Sequence, residues 1–235
     1  MAEPTQTTRA TVGPQRRYEF ILPSGWHRFD LRRPLPAQAE RYAAKVLEGE
    51  ALGDRGALVR ANLARSLEAQ LREAQAKGVL DLVMPTMHGA GLAPATSFMF
   101  APLELPEEAG PMELLMATAQ SDQTARLVEV EDLVALRTEA RVANVGRDLR
   151  TEAAQAGRQL GLPPEAIVAT AADPGEAVMT YSHRVQYLLG HPDRPQGWMV
   201  AVMATVESDS EDAKAAADLV VALFDQIMLT VRFHV

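Results

Sequence analysis

A chain of 235 residues with no cysteine and a formal charge of -8 excludes structural disulfides, thiolate nucleophiles and cysteine-held zinc or iron–sulfur centres. The acidic balance also argues against a general nucleic-acid binder, which presents a basic face to phosphate. The length suits one large domain, which at this size buries roughly 70–75% of its unfolded surface without a metal or disulfide staple.

Met1 to Arg16 is small and polar, is punctuated by Pro4, Gly13 and Pro14, and lacks the apolar run of a secretory signal. A flexible tail over 1–16 and a single domain over 17–235 are expected. Charges interrupt every long apolar segment, so no membrane span of about 20 residues is predicted and a soluble, cytoplasmic product is expected. Lysine occurs only at Lys45, Lys77 and Lys214. The remaining positive charge is arginine, which suits bidentate carboxylate binding or reflects a GC-rich coding sequence, as the abundance of alanine also suggests.

Along the chain, Tyr18, Phe20 and Leu22 alternate up to Pro23-Ser24-Gly25, and the run resumes from Trp26 to Leu31, which predicts an opening hairpin. Pro36 to Glu48 and Asp54 to Lys77 read as helices, a helical insertion over about 36–77. The second carries Leu58, Leu63, Leu67 and Leu71 near helical spacing and Gly78 as its stop. Strands are predicted over Val79–Met84 and Ala95–Leu103, separated by the proline- and glycine-rich loop Pro85–Pro94. A short helix over Pro111–Gln120 follows, with Pro111 early and Met112, Leu115 and Met116 at helical spacing. Arg126–Val130 and Leu133–Val142 form the next hairpin. Gly146–Gly161 reads as a surface helix with one thin apolar stripe.

Val178–Leu189 alternates: Met179, Tyr181, Val185, Tyr187 and Leu189 share one face, and Thr180, Ser182, Arg184 and Gln186 the other. Trp198–Val206 is apolar on both faces, the pattern of a central strand covered on both sides. The last helix has Ser208 and Glu211 spaced as a capping box, Ser210 as an alternative cap, and Ala216, Val220, Leu223, Phe224 and Ile227 as its stripe. Hairpins interspersed with helices predict an α+β class with a largely antiparallel sheet and helices on both faces. The two ends are expected to meet in one core, anchored by Trp26 and Phe224.

The opening Phe20-Ile21-Leu22-Pro23-Ser24-Gly25-Trp26, the hairpins and the final amphipathic helix resemble the PsbP-like fold, an α/β/α sandwich shared with Ran-binding Mog proteins and some bacterial lipoproteins. The same opening, with Leu223-Phe224-Asp225-Gln226-Ile227-Met228 near the end, is similar to uncharacterised actinobacterial proteins associated with type VII secretion. The resemblance implies a binding, adaptor or chaperone role, with a secretion substrate or secretion-system component as partner. The helices over 36–77 depart from the compact members, and no family site residue carries over.

Catalytic constellations are weak by comparison. His88-Gly89-Ala90-Gly91 after a strand has the look of a backbone oxyanion hole, but no G-x-S-x-G elbow accompanies it. Ser182 and His183 are adjacent in a strand and so point to opposite faces, which disfavours a nucleophile–base pair and places His183 among Tyr181 and Val185. His191-Pro192-Asp193 reads as a turn. The five histidines lack metal-site spacing. Glu104, Glu107, Glu108, Glu129, Glu131 and Asp132 read as solvated turn residues. Neither phosphate-binding glycine pattern occurs, so no cofactor is expected. Met84, Met87 and Met99, with His88, cluster around one strand–loop–strand region. They are either core filling or an adaptable apolar surface for a partner's helix. The sequence therefore points to a noncatalytic protein-binding adaptor or chaperone; the alternatives are a small-molecule hydrolase using His88 or His183 and a homodimeric structural subunit.

Overall fold

Period-two alternation over the long strands builds a seven-stranded antiparallel sheet, and the helices pack their apolar stripes on both of its faces. The computed structural model describes residues 17–49, 52–86, 96–103, 110–144, 180–191 and 197–234. The strands are β1 (Arg17–Glu19), β2 (Trp26–Asp30), β3 (Asp81–Pro85), β4 (Ser97–Pro102), β5 (Arg126–Val130), β6 (Leu133–Asn144), β7 (Thr180–Gly190), β8 (Met199–Ser208) and β9 (Arg232–His234). The described helices are α1 (Leu35–Val46), α2 (Gly56–Ala76), α3 (Pro111–Ser121) and α4 (Glu211–Met228). The sheet order is β2-β3-β4-β8-β7-β6-β5, and β1 pairs with β9 in a separate two-stranded sheet. The class is α+β.

β8 lies at the middle of the sheet, as its two-sided apolar pattern predicts. Met199, Ala201 and Met203 join Val83, Phe98, Phe100, Val185, Tyr187 and Leu189 on the face that α4 covers with Val220, Phe224, Ile227 and Met228. On the opposite face, α1 and α2 bury Leu35, Ala39, Tyr42, Leu67 and Leu71 against Phe29, Leu82 and Met84 of β2 and β3. There α3 sets Leu115 against Leu136, Leu188 and Trp198. Gly190 lets the Trp198 ring approach, since an added Cβ would lie 2.3 Å from it. The stripe of α4 is Ala217, Val220, Val221, Phe224, Ile227 and Met228, rotated slightly from the predicted one, with Leu223 and Ala216 only half-buried. Its cap is Ser210, whose hydroxyl accepts from the Ala213 N–H at 3.2 Å. Ser208 instead hydrogen-bonds Ser210.

The predicted opening hairpin does not form. Gly25, with φ of 87°, makes the turn, yet β1 and β2 do not pair with each other. The reason lies in burial. Tyr18 and Phe20 set their rings 5.8 and 4.4 Å from that of Phe100, which lifts β1 onto the α4 face of the sheet and beside β9. The register joins Tyr18 to Phe233, and the Ile21 N–H donates to Thr230 Oγ1 at 2.9 Å. The two ends do meet in one core, through strand pairing as well as through Phe224. The helix predicted over Gly146–Gly161 lies outside the described residues.

Candidate functional site

β2 is an edge strand, and what happens along its open edge follows from antiparallel geometry. His27 and Phe29 lie opposite Met84 and Leu82, and the flanking bonds Thr86 N–H to Gly25 O and Leu31 N–H to Leu80 O share that frame. Trp26, Arg28 and Asp30 therefore turn their backbone N–H and C=O groups away from β3. Among the described residues only Asp30 is matched. The buried Gln38 side chain of α1 accepts from the Asp30 N–H at 3.0 Å and donates to the Asp30 C=O at 2.9 Å, so one amide occupies the place of a neighbouring strand.

Beyond that point the edge opens into a cleft of about 1020 Å³ lined by Tyr18, His27, Arg28, Asp30, Arg32, Arg33, Gln38 and Arg41, with Pro34 and Ala37. Its floor is an ion cluster. Asp81, fully buried, receives Arg28 Nε at 2.7 Å and Nη2 at 2.8 Å, and the Tyr18 hydroxyl donates to the same carboxylate. The Arg28 guanidinium lies 4.8 Å from the Phe20 ring centroid. Arg32 bonds Asp30 at 2.7 Å and lies 3.8 Å from Asp81, and Arg33 reaches Asp30 at 3.2 Å. Arg41 makes no ion pair among the described residues, and the first turn of α1 carries no acidic residue. The cleft region thus gathers four guanidiniums, three of them paired, around two carboxylates, an excess of two positive charges in a chain whose formal charge is -8.

The electrostatics follow the geometry. Burial pushes the Tyr18 hydroxyl well above the usual phenol range, and the Asp81 carboxylate adds to that shift. Burial works against the charge on Asp30, yet its bonds from Arg32 outweigh it and hold the carboxyl below its ordinary value. Burial also lowers His27, assisted by Lys45 and Arg41. The Nε2 of His27 is buried without a hydrogen-bond partner, while its ring packs against Phe29 and Tyr42. This arrangement can bind anions: Arg33, with 77% of its side chain exposed, and Arg41 offer forked donors for a carboxylate.

The residues singled out by sequence lie elsewhere. Met84 and Met99 are half-buried on one face of adjacent strands, diagonal to each other, and Met84 packs on the α1–α2 cluster. Met87 and His88 lie outside the described residues, as do Glu104, Glu107 and Glu108. Met112 and Met116 are 41% and 58% exposed on α3. Glu129, Glu131 and Asp132 are exposed at the β5–β6 turn, as predicted. His183 does share the face of Val185, away from Ser182, but its partner is a carboxylate, with Nε2 2.8 Å from Glu139 Oε1. Arg137 bonds Glu139 and Asp225, and Tyr187 also donates to Asp225, so this network ties β6 and β7 to α4. His183 is 5% exposed.

Sequence reasoning noted the arginine bias but not Arg28, Arg32, Arg33 or Arg41. The available signal was Arg32-Arg33-Pro34 ahead of a helix lacking acids in its first turn, with Arg41 two turns on. No group of three or more potential metal ligands occurs among the described residues, and no described helix is long and apolar enough to cross a membrane. No family model, curated protein or solved structure matches the chain.

Proposed function

We propose that this chain is a noncatalytic protein-binding adaptor or chaperone that holds its partner through the arginine cleft beside β2. The observation that carries the proposal is the excess of guanidinium over carboxylate in a roomy cleft on an otherwise acidic molecule. Charge of one sign in a concave site concentrates the opposite sign and steers encounter, so the matching surface on the partner is acidic. The opening Phe20–Trp26 and closing Leu223–Met228 segments, similar to those of type VII secretion-associated proteins, support a secretion substrate or secretion-system component as that partner. A cytoplasmic location belongs to the same reading.

The test is affinity capture from the native host with the full chain and with an Arg33→Glu/Arg41→Glu variant. Both positions are exposed, so thermal unfolding should stay within a few degrees of wild type. One acidic partner recovered reproducibly by wild type, and bound at least about tenfold (about 1.4 kcal/mol) more weakly by the variant, is the expected result. Equal recovery by both would overturn the assignment of the cleft.

A further inference from the structure

From the open edge of β2 we infer that the cleft binds its partner by strand addition: an extended acidic segment of another polypeptide pairs with Trp26 and Arg28 as an eighth strand. The inference rests on the adaptor reading and specifies how the cleft would be used. Trp26 and Arg28 present two N–H donors and two C=O acceptors along the edge, with no backbone partner among the described residues. Such an edge is a template for pairing with another chain.

Gln38 shows that the edge is competent for this, because its amide already makes the donor and acceptor pair at Asp30 that an incoming backbone would make. It also stops the addition there. The new strand therefore engages a length of about 7 Å between two outward-facing residues. Its side chains alternate between two walls. Tyr18 and Arg28 share the α4 face of the sheet, and His27 shares the α1 face.

The sign of the charge selects the occupant. Two outward hydrogen-bonding residues give little affinity alone, so carboxylates meeting Arg33 and Arg41 must supply the remainder. A second copy pairing through β2 would set Arg28, Arg33 and Arg41 against their own equivalents, which like-charge repulsion disfavours. The chain's own residues 1–16 carry Arg9 and Arg16 against Glu3 and are also of the wrong sign. An acidic strand from a different protein is the match.

The probe is a fluorescent eight-residue peptide of alternating Glu and Val, compared with its Lys–Val analogue and with the Glu–Val peptide N-methylated at every central residue. Binding to the full chain is read by anisotropy, and exchange of the Trp26 and Arg28 amides by nuclear magnetic resonance. The expected result is binding of the Glu–Val peptide alone, at least tenfold weaker after N-methylation or with Arg33→Glu/Arg41→Glu, with slowed exchange at both amides. Equal binding of the methylated peptide, or unchanged exchange, overturns strand addition and leaves an electrostatic adaptor site standing. Failure of both acidic peptides, or equal binding of the lysine analogue, overturns the cleft assignment as well. Light scattering that shows a dimer dissociated by the Glu–Val peptide would assign the edge to self-association and also overturn the inference.

Discussion

Asp81 shows how one residue can carry a local structure. Its side chain has no exposed surface, yet it accepts from Arg28 twice and from Tyr18. A buried carboxylate persists only when its hydrogen bonds offset the lost hydration. Here the carboxylate fixes the Arg28 guanidinium beside Phe20 and Tyr18 and so shapes the floor of the cleft. Replacing Asp81 by Ala strands a half-buried cation and a buried phenol. The expected loss is about 1–3 kcal/mol in urea unfolding, smaller than for a fully buried pair because Arg28 keeps contact with water. An unchanged midpoint would show that the cluster adds nothing to stability. Sequence gives only a faint sign of this role, a charge inside the apolar run Val79-Leu80-Asp81-Leu82-Val83. His183 differs in kind: its face was legible from alternation, but Glu139, 44 positions away, was not.

At the scale of elements, what could be read from the chain was what local rules determine. β8 announces its central place because Met199, Ala201 and Met203 on one face and Val200 and Val202 on the other must all be covered. α4 announces its start through Ser210 and the acids after it. Ser210→Ala should cost about 0.5–2 kcal/mol, whereas Ser208→Ala should cost much less, since only Ser210 caps a helix N–H; thermal unfolding of the two variants compares them. Equal losses would return the cap to Ser208. The partner of β1 was illegible because alternation specifies a strand and not its neighbour. The cleft was illegible for a related reason. Arg28, Arg32, Arg33 and Arg41 sit on a strand, a turn and a helix, and each is an ordinary arginine until β2 and α1 converge.

For the molecule as a whole, titration predicts a plateau of stability with a fall on either side. Burial lowers His27, so below about pH 6.5 the unfolded chain takes up a proton that the native state resists, and stability declines as pH falls. Asp30 and Glu139 resist burial through their arginine and histidine bonds and are held below their ordinary values. Their stabilisation is present above the unfolded carboxyl range, about 4, and is lost as pH falls through their lower native values. On the alkaline side burial pushes Tyr42 up to about 12, and it also raises Tyr18 and Tyr187. The unfolded phenols ionise from about pH 10, so that contribution declines above it. Urea midpoints measured from pH 4 to 11 should be flat between about 7 and 10, and His27→Gln should remove part of the decline between 7 and 5. A profile that rises on acidification from pH 7 would contradict the sign.

The pairing of β1 with β9 also sets an order of events during synthesis. A ribosome delivers the N-terminal segment first, and domains complete their folding as later segments emerge. Tyr18 cannot acquire its register partner Phe233 until 215 further residues have been added. Through that interval the Tyr18 ring lacks its contact with Phe233 and the Ile21 N–H lacks its acceptor Thr230 Oγ1. A nascent chain halted before β9 thus leaves β1 without the strand it pairs with.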